Sequence, residues 1–186
     1  MALIKQDSNE IYERLCKTTN EKVEMINGNI YCSSFTSKNH NTITIRLSSK
    51  LDDYFFDKKC KVFSEQIEII LNENSKVKPD VFVVCPNEFG EFEERGQSYL
   101  TVPTLIFEVV SESNAKLDTI EKMNLYSIYG IKEYCLVYQD GKIEQYTLHN
   151  DYYRVAKVYN YYETYKSVVF EGLEIDLNRV YAGIVE

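Results

Sequence analysis

Apolar and polar residues follow two different periods along this chain, and each period predicts one kind of element. A period near 3.6 residues predicts helices, whereas alternating or continuously apolar runs of about four to eight residues predict strands. The predicted helices span residues 8–17, 40–56 and 114–129. The predicted strands flank Asn27-Gly28, span 62–71, 80–85 and 104–111, and continue as a strand meander over 132–159.

Turn and cap residues mark the ends of several of these elements. Asn27-Gly28 between two strand-like runs is a strong hairpin signal, and Asp140-Gly141 and Asn150-Asp151 are expected to turn the meander. Asn39 is a candidate cap for the second helix, and Gly130 is a candidate left-handed end of the third. The order of elements predicts an α/β or α+β fold.

The runs 80–85 and 104–111 are almost continuously apolar, which is typical of central strands covered on both faces. We therefore expect a mixed central sheet flanked by helices, with an N-terminal hairpin and a C-terminal strand meander. No linker or repeat divides the 186 residues, and a chain of this length favours one domain over residues 1–186.

Glu108 is an ionisable residue in the middle of the apolar run 104–111. Alternation places Glu108 on one face of its strand and Asp80 at the start of the neighbouring run, so the two carboxylates are predicted to converge. On the third helix, Lys122 occupies the inward stripe together with Tyr126. A lysine in that position needs an anionic partner.

Burying Asp80, Glu108 and Lys122 together without compensation would cost several kcal/mol per ion. A partly open site neutralised by a cation is therefore expected, and clustered carboxylate oxygens suit Mg²⁺ or Mn²⁺. Two simpler interpretations stay open: Glu108 and Lys122 form a structural ion pair, or Asp80 only marks the start of a strand.

Composition excludes some functions and locations. The formal net charge of −8 argues against broad, nonspecific binding to nucleic acid, which needs a basic surface. The N-terminus lacks a signal peptide pattern and no apolar run is long enough to span a membrane, so we expect a cytoplasmic protein with no membrane partner. Five cysteines stand singly in the sequence and are interpreted as reduced packing residues.

The order of "KPDVFVV", "VPTLIFEVVSES" and the later Asp118, Lys122, Tyr126 and "YGIKEY" closely resembles the Uma2 family, also called DUF820. That family belongs to the PD-(D/E)XK restriction-endonuclease-like superfamily. The resemblance extends from "VEMINGNIYCSSFTSKNH" to "FEGLEIDLNRVY", which is nearly the whole chain. It implies a restriction-endonuclease-like core.

The resemblance implies that Asp80 and Glu108 are metal ligands and that Lys122 is the catalytic lysine. The usual motif places its lysine two residues after the acidic residue, where this chain has Val110. Many Uma2-like sequences instead supply the lysine from the following helix. Cys135 stands where family members usually have Trp, which is expected to alter packing more than chemistry.

Three further residues are candidate auxiliary groups: Glu24, His40 and Tyr126. Glu24 is either an auxiliary metal ligand or an exposed strand carboxylate, and His40 either orients a phosphate or water or is structural. The implied function is a Mg²⁺-dependent endonuclease, with Mn²⁺ as a substitute, that hydrolyses DNA and forms a homodimer. The alternative is a noncatalytic DNA- or protein-binding module that retains the nuclease fold.

Overall fold

A computed structural model describes residues 7–33, 36–65, 67–86, 93–95, 98–112 and 115–185. The helices are α1 (Ser8–Thr18), α2 (Lys38–Phe55), α3 (Met123–Ile128) and α4 (Leu177–Tyr181), and a π-helical segment (Leu117–Lys122) leads into α3. The first strands are β1 (Lys22–Ile26), β2 (Asn29–Ser33), β3 (Lys61–Ser64), β4 (Glu68–Asn72), β5 (Ser75–Val77), β6 (Val81–Val84) and β7 (Glu93–Arg95). The remaining strands are β8 (Ser98–Leu100), β9 (Leu105–Val110), β10 (Glu133–Tyr138), β11 (Lys142–His149), β12 (Tyr152–Asn160), β13 (Thr164–Lys166) and β14 (Glu174–Asp176).

The central sheet has the order β12-β11-β10-β9-β6-β3 and is mixed. Strands β9 and β10 are parallel, whereas β6 and β9 are antiparallel. Every residue of β6 and β9 is buried, as expected for strands covered on both faces. The mixed α+β architecture and the C-terminal meander β10-β11-β12 are therefore confirmed.

A second sheet has the order β2-β1-β5-β4-β8-β7, and its first two strands form the predicted hairpin. Asn27 and Gly28 both have positive φ, 50° and 79°, which is the backbone that a tight hairpin turn between twisted strands requires. The prediction of one strand over 62–71 is wrong. Glu65 has a φ of 29°, and this turn separates β3 in the central sheet from β4 in the second sheet.

Alternation along β6 and β9 divides the apolar core into two parts. On one face of the central sheet, Val81, Val83 and Phe107 pack in one cluster with residues of α2 and α4. On the other face, Phe82 and Ile106 pack with residues of the second sheet and of α3. The end of β6 where Asp80 lies is therefore enclosed by helix α2 on one side and by β1 on the other.

The helix boundaries differ slightly from the sequence prediction. Helix α2 is capped by Ser37, whose hydroxyl accepts a hydrogen bond from His40 N, and so it begins two residues before the expected start; Asn39 is not the cap. The predicted helix 114–129 is described from residue 115 and is π-helical over Leu117–Lys122. Gly130, with a φ of 80°, follows it in the left-handed conformation that was predicted. Within the described residues, none of the helices has both the length and the apolar character needed to cross a membrane.

The interpretation of all cysteines as reduced packing residues is wrong for two of them. Cys60 and Cys85 form a disulfide. The strands β3 and β6 pair with Lys61 opposite Val84, so the residues that come before and after that pair lie directly opposite each other. Of the three free cysteines, Cys135 is buried in the core, whereas Cys16 and Cys32 are exposed.

Candidate active site

Asp80 and Glu108 lie side by side where β6 begins and β9 approaches its end. Val81 pairs with Phe107 in the antiparallel register, which makes Asp80 and Glu108 the next pair along. The Asp80 backbone N–H donates to Glu108 Oε2 at 3.3 Å, and the two side chains are 4% and 0% exposed. The structure thus brings together the two carboxylates that the strand pattern placed on one face.

The Asp80 carboxylate is held by donors from three elements. Lys22 Nζ of β1 lies 2.9 Å from Oδ1, while Val109 N of β9 and His40 Nε2 of α2 lie 2.9 Å and 3.0 Å from Oδ2. Burial alone would raise the pKa of Asp80, but the charge of Lys22 and the hydrogen bond from His40 outweigh it and hold the pKa well below its usual range. Asp80 is therefore ionised.

Glu108 is in a different electrostatic position. Lys122 Nζ and the Tyr126 hydroxyl lie 3.0 Å and 2.9 Å from the same oxygen, Oε1. Burial raises the pKa of Glu108 to about 8, and the charges of Asp80 and Asp118 add to this while Lys122 opposes it. Near neutral pH without a cation, Glu108 holds a proton in a large share of molecules.

Lys122 is shared by three carboxylates. Besides Glu108, its Nζ lies 3.1 Å from Glu24 Oε1 and 3.3 Å from Asp118 Oδ1. Burial alone would lower the pKa of Lys122, but Glu108, Glu24 and Asp118 raise it well above its usual value. The π-helical segment carries both Asp118 and Lys122, and π turns of this kind are frequent at functional sites.

Formal charge in this cluster does not balance. The four carboxylates of Glu24, Asp80, Glu108 and Asp118 face the two ammonium groups of Lys22 and Lys122. Two negative charges are left over if every group is ionised, which is the charge that one divalent cation neutralises. Burial, and then the charges of Asp80 and Glu24, raise the pKa of Asp118 to about 6, and the pKa of Glu108 is raised as well. Both shifts reflect the same excess of negative charge.

The cluster is more closed than the sequence suggested. A partly open site was expected, yet Glu24, Glu108 and Lys122 are each at most 1% exposed. Glu24 is not an exposed strand carboxylate, because it accepts from Lys78 N at 2.7 Å and contacts Lys122. The closure is possible because lysines from two different elements compensate half of the formal negative charge, and because the raised pKa of Glu108 lets it hold a proton.

A second group of potential ligands adjoins Asp80 on the side of α2. One atom each from His40, Glu65 and Asp80 lie within 4.8 Å of one another. His40 is 5% exposed, and the Oε1 atom of Glu65 is buried without a hydrogen-bond partner within the described part of the chain. Two carboxylates and an imidazole form a donor set that fits a divalent metal ion.

Val110 occupies the position on β9, two residues after Glu108, at which the resemblance would place a lysine. It is 8% exposed and belongs to the apolar cluster beneath α3, so this position carries no charge. Lys122, from the π-helical segment, supplies the ammonium group next to Glu108 instead.

Sequence reasoning missed Lys22, Glu65 and the contacts of Asp118. Lys22 stands two residues before Glu24 on one strand, so alternation could have placed both on the same face. Asp118 stands four residues before Lys122, which is a spacing that pairs side chains on a helix. Glu65 had no comparable signal, because the sequence pattern placed it inside a strand.

A family model and two proteins of known sequence match this chain. The Uma2 family, described as "Putative restriction endonuclease", matches residues 10–178. Two uncharacterized proteins of Synechocystis sp., sll1609 and slr1290, are 35% identical over 121 residues and 32% identical over 108 residues. These alignments cover 64% and 58% of this chain, and 67% and 55% of the two relatives' own lengths.

A solved structure shares the fold at low sequence identity. The crystal structure of "a putative nuclease belonging to DUF820" from Anabaena variabilis matches with a TM-score of 0.74 and 15% identity, over 93% of this chain and 98% of that one. Asp80, Glu108 and Lys122, the residues that the resemblance led us to expect at the site, meet in the buried cluster. With its family match running from residue 10 to residue 178, this chain belongs to the Uma2 family.

Proposed function

We propose that this protein is a metal-dependent nuclease that hydrolyses phosphodiester bonds in DNA, with Mg²⁺ as its ion and Mn²⁺ as a substitute. The observation that carries the proposal is the excess of two negative charges in a buried cluster where Asp80, Glu108 and Lys122 meet. The family's description as a restriction endonuclease favours phosphodiester chemistry over other uses of such a cluster.

Asp80 and Glu108 are the residues proposed to hold the ion. A bound Mg²⁺ or Mn²⁺ supplies Lewis-acid polarisation of a phosphate and a water of lowered pKa. Asp80 is ionised even before an ion binds, because its pKa lies well below neutral pH. Tyr126 fixes the orientation of the Glu108 carboxylate by donating to Oε1.

Lys122 is proposed to position the attacking water or to stabilise the charge that develops on the phosphate. Glu24 and Asp118 hold its ammonium group independently of Glu108, so its position does not depend on one partner. Lys122 remains charged because its pKa is raised, and a fixed positive charge in a water-poor site favours a transition state with extra negative charge.

DNA is proposed as the substrate on the strength of the family, and the net charge of −8 favours a restricted substrate over indiscriminate binding. The test is cleavage of supercoiled, linear and single-stranded DNA by the parent protein with Mg²⁺, with Mn²⁺ and with chelator. We expect cleavage with either ion and none with chelator. Cleavage that persists in chelator, or that survives loss of Asp80, Glu108 and Lys122 together, contradicts the proposal.

A noncatalytic DNA- or protein-binding module is the second candidate, and the closure of the cluster favours it. Glu108 is fully buried and Lys122 is 1% exposed, as in a structural ion-pair network. This candidate predicts a parent protein that binds no ion at the cluster and cuts none of the three DNA forms, while retaining its fold.

A further inference from the structure

Glu65 has a buried carboxylate oxygen that accepts no hydrogen bond from the described part of the chain. Its Oε1 atom has no hydrogen-bond partner within the described residues, although the side chain as a whole is 28% exposed. His40 Nδ1 lies 3.7 Å from this oxygen, which is too long for a hydrogen bond. Burying a carboxylate oxygen without a hydrogen bond costs free energy, so a cation bound to Glu65 Oε1 would stabilise the folded protein.

The backbone of Glu65 is fixed to that of Asp80. Glu65 N donates to the Asp80 carbonyl at 3.1 Å, and the Glu65 carbonyl accepts from Ile67 N at 2.7 Å. The φ of 29° is a left-handed conformation, which a non-glycine residue adopts only when the surrounding structure holds it there. The side chain therefore starts from a defined position next to Asp80.

The three side chains are close enough to share one ion. Atoms of His40, Glu65 and Asp80 lie within 4.8 Å of one another, and His40 Nε2 lies 3.0 Å from Asp80 Oδ2. An octahedral ion with ligands at about 2.1 Å has neighbouring ligands about 3 Å apart and opposite ligands about 4.2 Å apart. The distance of 3.0 Å between His40 Nε2 and Asp80 Oδ2 already matches that of neighbouring ligands. The side chain of Glu65 is partly exposed, so it has room to move closer to the other two ligands.

We propose that His40 and Glu65 act with Asp80 as ligands of the ion in the proposed nuclease site, and that this site binds Mn²⁺ more tightly than Mg²⁺. The inference rests on the proposed function, because Asp80 belongs to both ligand sets. An imidazole nitrogen suits first-row transition ions, whereas Mg²⁺ prefers an all-oxygen shell. Lys22 contacts Oδ1 of Asp80, whereas Oδ2 accepts a hydrogen bond from Val109 N and is the oxygen that lies next to His40. A carboxylate oxygen has a second lone pair, so Oδ2 can bind the ion while it keeps the bond from Val109.

Pulsed EPR of the Mn²⁺-loaded full chain tests the imidazole ligand directly, because a nitrogen that binds the ion gives a much stronger coupling than nearby nitrogens that do not. The chain has two histidines, His40 and the exposed His149 at the end of β11, which makes His149→Asn a matched control. We expect nitrogen coupling in the parent and in His149→Asn, and its loss in His40→Asn. The parent and His149→Asn spectra together decide the question even if His40→Asn does not fold, because coupling that survives without His149 leaves His40 as the one histidine that can bind the ion.

Calorimetric titration with Mn²⁺ and with Mg²⁺ tests Glu65. We expect Glu65→Gln to raise the Kd for Mn²⁺ about tenfold or more. Glu73→Gln, which removes the same charge from an exposed turn, is expected to leave that Kd within about twofold of the parent value. The preference for Mn²⁺ over Mg²⁺ is expected to shrink in His40→Asn.

The possible outcomes separate this inference from the proposed function. If Mn²⁺ binds without nitrogen coupling and Glu65→Gln binds like the parent, His40 and Glu65 are not ligands, while the proposed nuclease stands. If coupling and the Glu65 effect are found but no DNA is cut, the ligand set stands and the nuclease function falls. A protein that binds no Mn²⁺ at millimolar concentration contradicts both.

Discussion

Lys122 Nζ lies 3.0 Å from Glu108 Oε1, and this buried contact joins the π-helical segment to the central strand β9. The same ammonium group lies within 3.3 Å of Glu24 and Asp118. It is therefore the main internal counter-charge of the cluster, and any ion that binds there has to share the carboxylates with it. Removing Lys122 is therefore expected to change both the stability of the metal-free protein and its binding of metal.

Lys122→Met is expected to destabilise the metal-free protein by about 3–5 kcal/mol, because it leaves three buried carboxylates without their shared partner. Urea unfolding in chelator measures the loss. Lys166→Met is the control, since Lys166 pairs with Glu174 on the surface and its loss is expected to cost far less stability than the loss of Lys122. Equal losses in the two variants would contradict the proposed importance of the Lys122 contacts.

The same cluster predicts that metal binding and turnover respond differently to substitution. Asp80→Asn or Glu108→Gln is expected to weaken Mn²⁺ binding and abolish cleavage together, because each removes a proposed oxygen ligand. Lys122→Met is expected to keep or tighten Mn²⁺ binding, since it removes a competing positive charge, while lowering turnover about 10²- to 10⁴-fold. Calorimetric titration measures Mn²⁺ binding, and cleavage assays measure turnover. The cleavage assays use saturating Mn²⁺, which also stabilises the variant. Loss of metal binding in Lys122→Met would refute the assigned roles.

Stability of the metal-free protein is expected to fall as pH rises. The pKa of Glu108 is about 8 in the folded protein against an ordinary value of 4.5, so between these values the folded state holds a proton that the unfolded state has released. This group alone lowers the free energy of unfolding by up to about 1.4 kcal/mol per pH unit in that window. Asp118, with a pKa of about 6, adds a slope of the same sign below that pH.

Glu108→Gln is expected to flatten the pH dependence above pH 6 and to leave metal-free stability unchanged or higher at pH 8. Urea unfolding in chelator at several pH values, on parent and variant, checks this. Added Mn²⁺ is expected to stabilise the parent and not the variant. A large loss of metal-free stability in Glu108→Gln would instead identify Glu108 and Lys122 as a structural ion pair.

The disulfide predicts a specific thiol count and a dependence on reductant. Three of the five thiols are expected to react under denaturing, non-reducing conditions, because Cys60 and Cys85 are joined. The bridge closes a loop with a sequence separation of 25, and its loss in the Cys60→Ser, Cys85→Ser double variant is expected to cost about 3 kcal/mol. Reductant should shift the unfolding midpoint of the parent and of Cys16→Ser, but not that of the double variant. Five reactive thiols in the untreated protein would show that the bridge does not form.

A homodimer is expected if the protein cuts both strands of a duplex, because two-fold pairing presents two active sites and is the commonest soluble assembly. Light scattering at micromolar concentration distinguishes a dimer from the monomer mass of 21.8 kDa. A monomer would remove this expectation, and nicking or cleavage of single strands would then be the activity to test.

The sequence determined the elements whose signals are local. The hairpin at Asn27-Gly28, the left-handed end at Gly130 and the buried strands β6 and β9 were readable because backbone conformation and burial leave a pattern within a few residues. The same alternation placed Asp80 beside Glu108, since a strand's faces are fixed by its period of two. The motif order that identified the family depends on these same local segments.

Only the tertiary structure decided which distant groups share the site and how their charge is balanced. Lys22 contacts Asp80 across a separation of 58 residues, and Glu24, on the same strand β1, contacts Lys122 of the π-helical segment. The left-handed turn at Glu65 split one expected strand into two sheets, and the register of β3 with β6 brought Cys60 to Cys85. These outcomes depend on strand order and register between sheets, which are set by packing of the whole core. A pattern confined to one segment carries no information about the segment it will face.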